Sequence, residues 1–164
     1  MWYIALFLVF LAADQAVKLW VVQHLALYES APLLPGFLEL RYIQNTGGGW
    51  SILSDYTWLL SILTAFIMLV LLYLLLRRIV RHPLGRTACV LLLAGGCGNL
   101  IDRLRLGYVV DMFNFQFISY PVFNVADIAV VIGMILAAVY YLFLYEKHDG
   151  PERGDRHGDS ASRQ

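Results

Sequence analysis

Charge is what this sequence has least of. Asp, Glu, Lys and Arg together make up 15% of its 164 residues, and they sum to zero. Bulk electrostatics therefore offer nothing to nucleic acid or to an acidic partner. Histidine is scarcer still. His24, His82, His148 and His157 fall in predicted loops or in the C-terminal tail, so no Ser-His or Cys-His nucleophile arrangement is expected. No His/Cys cluster has zinc spacing, and no G-x-x-x-x-G-K phosphate loop is present; neither metal nor cofactor is expected. The two cysteines, Cys89 and Cys97, lie about 12 Å apart along one predicted helix. That is beyond disulfide reach, and they read as small packing residues.

Apolar residues fill the space that charge leaves. The hydrophobic fraction is 60% and the mean hydropathy +0.66, against roughly 45–50% apolar in soluble domains. The expected class is an all-α membrane protein. Residues 2–22, 57–76, 87–106 and 123–145 can each cross a bilayer, which takes about 20 mostly apolar residues. The first lacks the basic start and the small-residue cleavage site of a signal peptide and is read as a retained helix. Arg77, Arg78, Arg81 and Arg86 follow the second span, and Lys147, Arg153, Arg156 and Arg163 the fourth. By the positive-inside rule both termini are cytoplasmic and the long first connection faces outward. Residues 1–146 are expected to form one membrane domain, and 147–164 a polar, disordered tail.

The outward connection has its own pattern. "FLELRYIQ" alternates, with Leu38, Leu40 and Tyr42 on one side and Glu39 and Arg41 on the other, which predicts a strand. A second short strand around residues 50–53 is expected to pair with it, giving a small sheet at the membrane surface.

Only the second span is free of charge. The first carries Asp14 and Lys18; the third Asn99, Asp102 and Arg103; the fourth Asp127. With the predicted topology, all of these and Asp111 come to one depth, in the outer half of the bilayer. Charges at one level should face one another inside the bundle. Plainer roles exist for several. Asp14 and Lys18 have the i, i+4 spacing of a local ion pair, Asp102 and Arg103 can anchor a helix end, and Asn124 with Asp127 has nearly the spacing of a capping box. Asp111 sits in an apolar stretch with no adjacent base, which should raise its pKa. Two carboxylates held close share one proton, one activating water and the other protonating a carbonyl oxygen. Aspartyl hydrolysis is the favoured chemistry. A proton relay in a transporter or channel, or a non-enzymatic assembly factor, are the alternatives.

Five motifs, in order, resemble those of the bacterial prolipoprotein signal peptidases (signal peptidase II). They are "DQAVK" at 14–18, "NTGGGWSIL" at 45–53, "GGCGNLIDR" at 95–103, "GYVVDMF" at 107–113 and "FNVADIAV" at 123–130. Gly48-Gly49-Trp50 stands where the family commonly has Ala-Ala-Phe, which bears on the stiffness of that loop; a hinge at these glycines and a headgroup-level Trp50 are expected. The resemblance implies four transmembrane helices with a small outer sheet, in a monomer of the bacterial inner membrane. It implies an aspartic endopeptidase that removes the signal peptide from a diacylglyceryl-modified prolipoprotein, cutting just before the lipidated cysteine. Its partners would be that substrate and membrane lipid. By the same resemblance Asp111 and Asp127 form the catalytic pair. Asp14, Lys18, Asn45, Gly47, Asn99, Asp102, Arg103, Asn124 and Ala126 shape or support the site.

Overall fold

The computed structural model describes residues 2–47 and 56–150. The expected strand at 50–53, the glycine hinge and Trp50 lie outside the described residues, as does most of the predicted tail. Four helices are long and apolar enough to cross a membrane: α1 (Trp2–His24), α2 (Thr57–Leu76), α3 (Pro83–Leu106) and α4 (Val125–Phe143). The second matches its predicted span. The first and third run further than predicted, and the fourth is trimmed at both ends.

Local chemistry sets the ends. Pro83 opens α3, where its missing N–H costs nothing, and the His82 ring accepts from the Leu84 amide. Gly107 closes α3 in the left-handed region at φ 82°, a conformation that favours glycine. Asn124 and Asp127 form a reciprocal capping box at the start of α4.

The central helix is α3, which packs on α1, α2 and α4. Its glycines make this possible. A Cβ on Gly95 would run into the Ala126 carbonyl oxygen and Val130 of α4, and one on Gly98 would press on the Asp14 carboxylate of α1. Small residues allow such close approach between membrane helices. By contrast α2 has no buried residue at all. It is a greasy outer stave, and its lack of charge follows from its exposure to lipid. Cys89 and Cys97 are both free.

One end of the bundle carries a three-stranded antiparallel sheet, ordered β1 (Ser30–Leu34), β2 (Leu38–Asn45) and β3 (Val109–Phe115). The alternation in residues 37–44 thus marks a real strand. Its described partners are β1 and β3, and Asp111 sits on a strand where a plain connection was expected. A register shift between Leu40 and Ile43 bulges β2 against β3. Tyr42 packs with Val110 and Met112 on Val21 of α1, forming the core beneath the sheet.

The opposite end is tied by the chain beyond α4. A short helix, α5 (Tyr145–His148), delivers Asp149, whose Oδ2 accepts from the amides of Arg81 and His82 and from the Tyr140 hydroxyl. Its Oδ1 takes the Arg81 Nε at 3.0 Å. These contacts tie Asp149 to the connection between α2 and α3 and to α4.

Candidate active site

At the sheet end, side chains from all but one of the long helices meet two strands. Lys18 stands in the middle of the support. Its ammonium lies 2.9 Å from Asp14 Oδ2 and 2.9 Å from Asp102 Oδ2, and donates to Asn99 Oδ1 at 2.9 Å. The pair predicted on α1 exists, but it is not self-contained, because Lys18 is shared between α1 and α3. A buried cation with three acceptors is satisfied. Gln15 adds Nε2 contacts to Asp14, Gly98 and Asp102.

Each acid also holds another element. Asp14 Oδ1 accepts from the Ala126 amide at 2.9 Å, docking the start of α4 on α1. Asp102 Oδ2 accepts from the Val110 amide at 3.1 Å, docking β3 on α3. Arg103 donates from Nη2 to the Gly47 carbonyl at 3.1 Å, and the Gly47 amide donates to Asn45 Oδ1 at 2.9 Å. Asp14, Asp102 and Lys18 are almost fully buried.

Asp111 and Asp127 sit above this floor, held by neutral amides. Asp111 accepts from Asn45 Nδ2 at 2.9 Å and from Asn124 Nδ2 at 2.6 Å. Asp127 Oδ1 accepts from Asn99 Nδ2 at 2.8 Å, and its Oδ2 from the Asn124 amide at 3.1 Å. Asn124 reaches Asp111, Asn99 and the Asp127 backbone, so one side chain spaces both carboxyls. The capping role foreseen for Asp127 is present and takes one of its oxygens.

Both carboxyls line one cavity of about 300 Å³. Asn45, Asn99 and Arg103 complete its polar side, and Val130, Val131 and Met134 of α4 supply an apolar wall. Burial pushes the Asp111 carboxyl up to about 7, and the neighbouring charge of Asp127 adds to it against the two amide donors. The eleven residues singled out in the sequence thus fall in one connected cluster. Gln15, which the sequence reading left without a role, joins them, and so do Tyr120 and Phe123 on the cavity wall. Gln15 lay inside the first motif and Phe123 opened the last; only the aromatic character of Tyr120 could have hinted at a wall. Among the described residues no three His, Cys, Asp or Glu side chains gather as a metal site requires.

A model of the family described as signal peptidase (SPase) II matches residues 6–143. The chain belongs to the signal peptidase II family. It is 40% identical over 128 residues to the lipoprotein signal peptidase of Streptococcus pyogenes serotype M5 (strain Manfredo), covering 78% of this chain and 84% of that protein. The serotype M18 protein (strain MGAS8232) matches to the same extent. Two solved bacterial membrane enzyme structures have the same fold. One superposes with a TM-score of 0.81 at 29% identity, over 92% of both chains. The other gives 0.79 at 30% identity, over 86% of this chain and 92% of that one. This family member is therefore a protease of the bacterial inner membrane, with four membrane helices and a small antiparallel sheet.

Proposed function

We propose that this peptidase removes the signal peptide from diacylglyceryl-modified prolipoproteins, cutting N-terminal to the lipidated cysteine with a water activated by Asp111 and Asp127. The observation that carries this reading is the contrast within the cluster. Asp14 and Asp102 share the Lys18 ammonium as their counter-ion, whereas among the described residues Asp111 and Asp127 receive amide donors alone and open on a cavity with an apolar wall. A carboxyl pushed up to about 7 beside a second carboxylate is suited to sharing a proton.

In the first step ionised Asp127 takes a proton from water as the oxygen attacks the scissile carbonyl carbon. Protonated Asp111 gives its proton to the carbonyl oxygen, leaving a neutral tetrahedral intermediate. In the second step the C–N bond breaks, the cysteine nitrogen takes the proton held by Asp127, and Asp111 recovers its own from the hydroxyl. The α4 N-terminus favours the charge on Asp127. Arg103 Nε is buried without a partner among the described residues, which suits a substrate carbonyl. A relay transporter needs ionisable groups spread across the membrane; the cluster instead lies at one level, beside the sheet.

With both termini cytoplasmic, the sheet and cavity face outward, where a lipidated cysteine would hold its scissile bond. Single cysteines at Ser30 and Arg78, in a background lacking Cys89 and Cys97, test this with an impermeant thiol reagent on intact cells. Labelling at Arg78 alone would reverse the orientation. The chemistry is tested with purified protein and a diacylglyceryl prolipoprotein. Asp111→Asn and Asp127→Asn should each abolish cleavage while the proteins remain folded. A folded Asp127→Asn protein with near-normal turnover would leave the aspartate with its capping role only, and the proposed mechanism would fall.

A further inference from the structure

A second cavity, of about 410 Å³, opens on the Asp111 carboxyl. It shares Asn45, Asp111 and the residues Tyr120, Pro121 and Val122 with the first, so the two meet at the candidate dyad. Their walls differ. The first runs on along Val130, Val131 and Met134 of α4, whereas the second extends to Arg41, Ile43 and Ser119. Arg41, Ile43 and Asn45 follow the period-two alternation of β2, which puts them on one face of the strand. Ile43 pairs directly with Asp111.

Arg41 is the unusual member of this wall. It forms no ion pair or side-chain hydrogen bond with any described residue, and its Nε is buried without a partner. Leaving a buried donor unpaired costs free energy that a ligand would recover. The β2 bulge begins beside it, and bulges next to sites commonly re-aim a side chain.

A peptide cut at the dyad has two ends that must leave in different directions. The apolar first cavity suits the hydrophobic signal segment. We propose that the second cavity holds the first residues of the mature chain, those after the lipidated cysteine, and that the Arg41 guanidinium receives their backbone carbonyl oxygens. This rests on the substrate reading given above. Arg41 is then a binding residue for the leaving side. Contacts to backbone suit an enzyme whose substrates differ in the residues that follow the cysteine.

The test uses two diacylglyceryl lipopeptides with the same signal segment. One ends as an amide at the cysteine; the other continues for about six residues. Wild-type protein should show the higher kcat/KM on the longer peptide, by roughly 10-fold, the scale of a hydrogen bond to a charged group. Arg41→Gln should remove that preference by lowering kcat/KM on the longer peptide towards that on the short one, and Arg41→Lys should restore part of it. A wild-type-like preference in Arg41→Gln, or an equal loss on both peptides, would overturn the assignment. Failure of wild-type protein to cut either peptide would overturn the substrate reading and this inference with it.

Discussion

Two aspartates at opposite ends of the bundle are both withdrawn from solvent, and their surroundings push them in opposite directions. At the far end Asp149 collects the Tyr140 hydroxyl, the amides of His82 and Arg81, and the Arg81 guanidinium. Burial opposes ionisation there, yet these donors hold the carboxyl down at about 2. At the sheet end Asp111 has two neutral amide donors and a carboxylate neighbour, and burial pushes it up to about 7. Four donors, one of them cationic, turn a carboxylate into a fixed staple. Two neutral donors leave one that can take up and release a proton near neutral pH. The difference lies in how many hydrogens are aimed at each carboxyl, and from which groups.

The sharpest way to break this contrast is to neutralise each aspartate in turn. Asp111→Asn or Asp127→Asn should cost on the order of 10³-fold or more in kcat/KM. The double variant should be no worse than either single one, because a pair missing one member has already lost its function. Asp149→Asn should retain near wild-type cleavage. Lys18→Met comes next, because it strands Asp14 and Asp102 in the interior without their shared cation. Removing one partner of a buried ion pair costs about 3–5 kcal/mol, read as a large fall in thermal midpoint, with activity lost through unfolding. Asp149→Asn should lower stability by about 1–3 kcal/mol through lost hydrogen bonds, and an unchanged melting point would show the staple to be idle. The smallest effect is on pH. A value raised to about 7 means that Asp111 keeps its proton below neutrality and loses it as pH rises, so kcat/KM should decline through an apparent midpoint near 7. Asp149, lowered to about 2, works in the opposite sense. Its contribution to stability is present above the ordinary carboxylate range and fades only as pH falls towards 2, so that contribution should stay constant between pH 5 and 9.

The greasy half of the molecule was legible because length and hydropathy decide a membrane span. Thr57–Leu76 could be read off residue by residue, since none of it is buried in the bundle. The sheet was half legible. The alternation in β2 is local, whereas β1 is a five-residue strand containing Pro32, and β3 carries an aspartate and an asparagine that make it look like a connection. Pairing across the chain decides both. The cluster of acids could be placed at one depth from topology alone. Its wiring could not: Lys18 bonds to α3 as readily as to its own helix, and Gln15 gave no signal beyond its place in a motif. Asp149 was least visible. It falls in the predicted polar tail, and nothing local says that its carboxyl reaches back to the connection between α2 and α3.

The shared proton is the centre of this account, and infrared spectroscopy reads it directly. Between pH 5 and 9 the protein should show a protonated-carboxyl carbonyl band that disappears with an apparent midpoint near 7 and is absent from Asp111→Asn. A spectrum without that band at pH 6, or one in which Asp111→Asn leaves it unchanged, would contradict the assignment of the proton to Asp111.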